Sequence, residues 1–240
     1  MAKVSAKFKS YLMLYLIKKI IHTQILKDWL ANKNYAKLAK IPIDVILDIG
    51  VAEKGTPHLY KNFQKKFFHL IDPIPNLQPK NLPNTYELHS IALGAPGEAV
   101  KEFNLSGEGT SSHTRTRGGS RWVTLKTFEV QTITLDQFFS DIFVEDKYYG
   151  IKIDAEGDEL NILSGLSEKY SSNVNFIVVE VIVRPSYEDG YFASDIFNWM
   201  SKNNFELVSF LNLPLNRSFF DLVFVAKRLI ESDPDAKFFT

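Results

Sequence analysis

From Pro42 onward the chain alternates short runs of β-branched and aromatic residues with stretches of helical periodicity. That alternation is the grammar of parallel strands joined by crossover helices, and it confines the fold to the α/β class. Strands are predicted at 43–49, 66–72, 85–91, 149–154, 174–181, 205–211 and 219–226, with helices at 55–64, 135–142, 157–168 and 191–203. Seven strands fit one open, mostly parallel sheet covered by helices on both faces. The segment 98–134 breaks the pattern. GEAVKEFNL and WVTLKTFEVQTITL alternate like an exposed β-hairpin around the polar stretch SGEGTSSHTRTRGGSR, which reads as an insertion on the sheet.

The first forty residues obey a different rule. Apolar side chains from Phe8 to Leu30 recur at spacings of three and four with lysines between them, the pattern of an amphipathic helix. This stretch holds nine Lys and one Asp, a charge of +8 in a chain whose 28 basic and 28 acidic residues cancel, so the remainder carries −8. A basic head on an acidic body can fold back on its own domain, join a second copy, or sit at the surface of an anionic membrane. Its longest uncharged run, Ser10 to Ile17, is far short of the roughly 20 residues a bilayer span requires. No small-residue cleavage site follows that run, so the expectation is a cytoplasmic protein with at most peripheral membrane contact. The organisation predicted is a basic amphipathic extension over 1–40, one domain over 41–228 with its insertion at about 98–134, and a tail over 229–240.

Chemistry is expected where the first strand ends. Asp48-Ile49-Gly50 leads through Gly55 into a helix at about Thr56-Pro57, a turn whose glycines let a ligand approach main-chain N–H groups. In an open α/β sheet the site lies beyond the carboxyl ends of the strands, where strand order reverses. The second strand ends in Asp72, which stands where a carboxylate can accept both hydroxyls of a ribose. Neither GxGxxG nor GxxxxGK[ST] is present, and an acid opening the loop suits a cationic ligand better than a pyrophosphate. That favours S-adenosylmethionine over NAD. The absence of cysteine excludes disulfides, thiolate zinc sites, iron–sulfur clusters and a Cys nucleophile, and no GxSxG elbow supports serine hydrolysis.

Asp48-Ile49-Gly50, Ile71-Asp72-Pro73-Ile74-Pro75, Ala92-Leu93-Gly94, Ser111-Ser112 and Thr134-Leu135-Asp136 occur in that order. They are followed by Ile151-Lys152-Ile153-Asp154-Ala155-Glu156-Gly157-Asp158-Glu159 and Leu163-Ser164-Gly165. Together, over about 41–226, they resemble the motif series of the FkbM family of S-adenosylmethionine-dependent methyltransferases. The resemblance implies the Rossmann-like class I methyltransferase fold, with a seven-stranded sheet whose last strand is antiparallel. It also implies an O-methyltransferase acting on a hydroxyl of a sugar, glycan or glycosylated metabolite. Asp48 and Gly50 would line the methionine end of the cofactor, Asp72 would hold the ribose, and Ile91 and Ala92 would flank the adenine. The chain departs from the family pattern in having one residue more between Gly50 and Gly55 than the commonest spacing, and Asp where members often carry Glu at 72.

Methyl transfer is an in-line displacement, so positioning supplies most of the catalysis and a base is an aid. Asp154 ends the fourth strand beside the cleft and is the first candidate base, with Glu180 at the end of the adjacent strand and His113 in the polar loop as further candidates. Ser111, Ser112, Arg115 and Arg117 are expected to meet the acceptor, either as a lid or as the tip of a solvated hairpin. Asp158 and Glu159 are read as partners of a helix N-terminus. A divalent metal on Asp154, Glu156 and Glu180 is possible but not favoured, and no metal is assigned. His22, His58, His69 and His89 show no metal-ligand spacing and are read as structural. The alternatives are methylation of a lipid headgroup, small acid or protein, or a non-catalytic methyltransferase-like binding module. Nucleic acid is disfavoured by the acidic body.

Overall fold

The computed structural model describes residues 24–106, 109–111, 126–183, 190–211 and 219–232. Its strands are β1 (Val45–Ile49), β2 (Phe67–Ile71), β3 (Tyr86–His89), β4 (Ala92–Leu93), β5 (Val100–Ser106), β6 (Gly109–Ser111), β7 (Lys126–Ile133), β8 (Tyr149–Ile153), β9 (Val174–Ile182), β10 (Phe205–Phe210) and β11 (Phe219–Ala226). Its helices are α1 (Gln24–Leu38), α2 (Pro57–Asn62), α3 (Leu135–Ile142), α4 (Glu159–Ser164), α5 (Glu168–Ser171), α6 (Ala193–Lys202) and α7 (Lys227–Ser232).

Seven strands form one sheet in the order β10-β11-β9-β8-β1-β2-β3. All seven predicted strands are there, displaced by two residues or fewer at either end. β8, β1, β2 and β3 pair in parallel, as do β8 and β9, and β11 runs antiparallel to both β9 and β10. The sheet is therefore doubly wound, and its strand order reverses between β1 and β8. The predicted helix over 157–168 is shorter than expected, ending at Ser164, and is followed by the separate turn α5.

Strand parity explains the two cores. Odd-numbered residues of β1 and β8, Val45, Leu47, Ile49, Ile151 and Ile153, face α3, α4 and α6, where Phe138, Phe139, Ile162, Leu163, Ile196 and Met200 cover them. The even-numbered Ile46, with Phe68, Leu70, Phe176 and Val178, faces Tyr35 and Leu38 of α1 and Leu59 and Tyr60 of α2. Each fully buried side chain of this size contributes about 1.5–3 kcal/mol. α3 begins on a capping box. Thr134 Oγ1 accepts from the Gln137 N–H at 3.1 Å while Gln137 Oε1 accepts from the Thr134 N–H at 2.7 Å.

The basic N-terminal segment is described from Gln24, and there it packs on its own domain. Asn34 Nδ2 donates to the carbonyls of Phe210 and Leu211 at 3.0 and 3.2 Å, and His58 Nε2 lies 3.4 Å from Asp28 Oδ1. Among the described residues no helix is long and apolar enough to cross a membrane. The segment read as a hairpin holds β5 and β7 paired antiparallel. β4 and β6 join them to make a four-stranded sheet in the order β4-β7-β5-β6, one strand wider on each side than expected.

Candidate active site

Strand parity also decides which polar groups meet. The register pairs Asp48 with Lys152 across β1 and β8 and Glu180 with Asp221 across β9 and β11. Asp72 and Asp154 follow β2 and β8 on the same even-numbered side, so a layer of charge caps the apolar layer beneath α1 and α2. A cleft of about 380 Å³ opens over this layer at the carboxyl ends of the strands. That is within the range of small-molecule sites, roughly 300–1,000 Å³.

One wall of the cleft is the turn after β1. Gly50 has φ +81°, and a Cβ built there would lie 1.8 Å from the carbonyl oxygen of Asp154, so the two loops touch backbone to backbone. Ala52, the next residue but one, is also left-handed at φ 50°. Its N–H donates to Asp72 Oδ2 at 2.8 Å, and the N–H of Ile74 donates to Asp72 Oδ1 at 2.9 Å. Asp72 is 3% exposed and lines the cleft, its carboxylate held by backbone on both oxygens. Burial raises its pKa above the ordinary aspartate value, against the pull of the two N–H bonds. Ile91 and Ala92 line the cleft as the chain passes from β3 into β4, and Phe103 of β5 and Tyr35 of α1 complete its sides. The insertion is tied down by Lys101, whose Nζ is 2.7 Å from Asp158 Oδ1 and 3.0 Å from Glu98 Oε2.

The floor is a buried ionic knot. Lys152 Nζ lies 3.5 Å from Asp48 Oδ1, 3.3 Å from Asp154 Oδ2 and 3.4 Å from the carbonyl of Gly50. Burial alone would lower the lysine's pKa. The carboxylates of Asp154, Asp48 and Asp221 overcome that and hold it well above the usual range. Tyr60 donates its hydroxyl to Asp48 Oδ2 at 2.6 Å, and burial together with that carboxylate pushes its phenol far up. Asp48, expected to line the methionine end of a ligand, is instead fully buried among Tyr60 and Lys152 and does not line the cleft. Asp48 is the fourth residue of β1, one position short of the strand end, and there its two oxygens are taken up by Tyr60 and Lys152.

Asp154 lines the cleft with a side chain 35% exposed. Its loop is fixed by Glu159, which is wholly buried and accepts from the N–H groups of Ala155 at 2.9 Å and Gly157 at 3.1 Å. Burial raises Glu159 to about 7 despite those bonds and one from Tyr191. Asp158, read with Glu159 as a helix-terminus partner, makes no cap bond and instead meets Lys101. Glu180 does not line the cleft, whereas its ladder partner Asp221 does. Burial, with Asp154, Asp221, Glu159 and Glu156 adding to it, pushes Glu180 up to about 10. Glu180, expected as a further candidate base, is thus set back from the cleft lining, and its ladder partner Asp221 takes the position at the cleft instead. Ser112, His113, Arg115 and Arg117 lie outside the described residues, and Ser111 is described as a backbone position of β6.

Sequence reasoning missed Lys152, Tyr60 and Asp221. The lysine sits inside the Ile151-to-Glu159 block and is legible in hindsight from its alternation with Ile151 and Ile153. Among the described residues, His69, Glu87 and His89 bring potential metal-ligand atoms within 4.8 Å of one another. That grouping corrects the reading of His69 and His89 as unpaired. They are 20 residues apart, and only the parallel register of β2 and β3 joins them.

In comparison with known proteins, no curated protein matches the sequence. The chain is similar to a magnesium protoporphyrin IX methyltransferase from Synechocystis PCC 6803 solved with bound SAM (10% identity, 94% of this chain and 86% of that one, TM-score 0.36). It is also similar to a human methyltransferase 10 domain containing protein (10% identity, 94% and 84%, TM-score 0.37). A third is a Burkholderia thailandensis 1,6-didemethyltoxoflavin-N1-methyltransferase solved with bound 1,6-didemethyltoxoflavin and S-adenosylhomocysteine (9% identity, 94% and 92%, TM-score 0.40). The family described as methyltransferase FkbM domain matches residues 44–207, more than half of the chain. The protein therefore belongs to the FkbM family of methyltransferases.

Proposed function

We propose that the protein transfers a methyl group from S-adenosylmethionine to a hydroxyl of a sugar, glycan or glycosylated metabolite. The observation that carries the reading is Asp72, a buried carboxylate fixed by the Ala52 and Ile74 N–H groups at the side of a cleft of about 380 Å³. Each of its oxygens keeps a second lone pair, the acceptor set a ribose diol needs. The cradle fits the cofactor in its other parts as well. Ile91 and Ala92 offer an apolar wall to a base, and the Gly50 turn leaves main chain instead of side chain along the ligand path. When bound, S-adenosylmethionine supplies a methyl group activated by a sulfonium.

The chain's residues then have separable roles. Asp72 orients the ribose. Lys152 fixes the Asp154 carboxylate at the mouth of the cleft, where it accepts the hydrogen bond of an incoming hydroxyl and takes its proton as the oxygen attacks. Asp154, Glu156 and Asp221 give the cleft an acceptor-rich rim, which suits a neutral, hydroxyl-bearing substrate and repels an anionic one.

Two measurements test the reading. Calorimetric titration of S-adenosylhomocysteine into the full chain is expected to show micromolar binding that Asp72→Ala abolishes. Incubation with methyl-labelled cofactor is expected to label neutral glycoside acceptors in preference to fatty acids or protein. Absence of cofactor binding by folded protein overturns the enzyme reading, and label found exclusively in an acidic or protein acceptor overturns the substrate class.

A further inference from the structure

On the opposite face of the sheet from the Asp48–Lys152 knot, His69 of β2 pairs in register with Glu87 of β3, and His89 lies one step further along β3. His69 Nδ1 is 3.0 Å from His89 Nε2, and Glu87 Oε2 is 3.8 Å from the first nitrogen and 3.9 Å from the second. None of the three lines the cleft. Phe138 of α3 stands edge-on to both imidazoles at 5.6 and 5.0 Å between ring centres, with Phe67 against His69 on a further side. The rings are thus clamped by aromatic packing, while Glu87 is 60% exposed at the sheet edge.

We propose that His69, His89 and Glu87 form a binding site for a zinc-class divalent cation that pins the edge strand β3 to β2. Zinc holds histidine nitrogen at about 2.0–2.1 Å and carboxylate oxygen at about 2.0–2.2 Å, so neighbouring donors of one ion stand roughly 3–3.5 Å apart. The two nitrogens already meet that spacing. The exposed Glu87 side chain needs a shift of a few tenths of an ångström, which its rotamer freedom supplies. Two imidazoles and one carboxylate select zinc, cobalt or nickel over magnesium and calcium, which take oxygen. Three protein ligands leave a fourth position on the Glu87 side for water. The packed rings and the placement on two strands make the ion's role structural. β3 runs directly into Ile91 and Ala92, so fixing the strand fixes the apolar wall of the cleft.

The test is titration of zinc chloride into the untagged full chain, freed of metal by chelator and dialysis, near neutral pH. One-to-one binding is expected, with a melting temperature that rises with zinc concentration. His89→Gln and Glu87→Gln, at the more exposed positions, should keep the fold and weaken zinc about tenfold or more, whereas His58→Gln should bind as the parent does. Cobalt should give the visible d–d bands of a low-symmetry site, lost in His89→Gln. Zinc held equally well by both ligand variants, no saturable binding, or preference for magnesium over zinc each overturns the proposal. Cofactor binding plays no part in these readouts.

Discussion

Lys152 Nζ and Asp48 Oδ1 lie 3.5 Å apart across the β1–β8 ladder, both beneath the surface, with the lysine side chain 8% exposed and the aspartate fully buried. The pair is costly to desolvate and is held by what surrounds it. Tyr60 takes the second oxygen of Asp48, and Asp154 and the Gly50 carbonyl take up the remaining field of the ammonium. Removing the cation leaves a buried carboxylate facing Asp154 with nothing between them. Lys152→Met is expected to cost about 3–5 kcal/mol, read as a lower denaturation midpoint. Asp48→Asn with Lys152→Met should recover part of it, since the charge left unpaired is then gone.

Asp72→Asn keeps one acceptor oxygen and loses the negative charge. Hydrogen bonds to charged groups contribute about 1.5–3 kcal/mol each, so S-adenosylhomocysteine affinity should fall roughly ten- to a hundredfold by calorimetry. The bonds from Ala52 and Ile74 weaken as well, and a fall of a few degrees in melting temperature is expected alongside. An affinity equal to the parent's would show that another group holds the ribose.

Gly50→Ala separates backbone from side-chain effects in the same turn. At φ +81° an alanine costs about 1–2 kcal/mol. Its Cβ would also lie 1.8 Å from the Asp154 carbonyl, and relieving that contact costs about 1–3 kcal/mol more. The two loops must part, moving Asp154 from the cleft mouth. Chemical denaturation should register the sum, and turnover should fall by more than cofactor affinity does.

The sheet is legible in the sequence because its signal is local. Runs such as Val-Ile-Leu-Asp-Ile at 45–49 and Val-Asn-Phe-Ile-Val-Val-Glu-Val-Ile at 174–182 are too apolar and too β-branched for any surface element. Asp72 is legible for the same reason, as a carboxylate standing directly after such a run. The relations that fail to show are those that register creates. Glu180 meets Asp221 because β11 turns back along β9, and their 41-residue separation carries no period. His69 and His89 need the β2–β3 alignment, and Tyr60 reaches Asp48 through the pitch of a six-residue helix. The end of β1 at Ile49 is read correctly, yet the resemblance puts Asp48 in the cleft, because the partners that draw its carboxylate to the floor, Tyr60 and Lys152, lie 12 and 104 residues away.

Asp154→Asn tests the proposed base. Its amide still accepts a hydrogen bond from the acceptor hydroxyl but takes no proton at neutral pH. Turnover should drop by about 10²–10⁴-fold, with S-adenosylhomocysteine affinity within a few-fold of the parent. A turnover near the parent's would assign catalysis to positioning alone.

Glu159 offers a test in pH. Its folded value, about 7, stands above the ordinary 4.5 because burial outweighs its bonds to the Ala155 and Gly157 N–H groups. A carboxyl whose pKa is raised by folding binds its proton more tightly in the native state. Its stabilising contribution is therefore complete below about 4.5 and is lost as pH climbs through 7. His69, lowered to about 4 by burial and by His89, has the opposite sign and loses stability as pH falls below 6.5, so the whole-protein profile blends the two. The difference between the parent and Glu159→Gln isolates the carboxyl, because Gln is neutral throughout. Melting temperatures of the two should diverge across 4.5 to 7, the parent losing ground to the variant with every step upward in pH. A difference that stays flat over that window would mean that Glu159 is already ionised in the folded protein, held by the two N–H groups in spite of its burial.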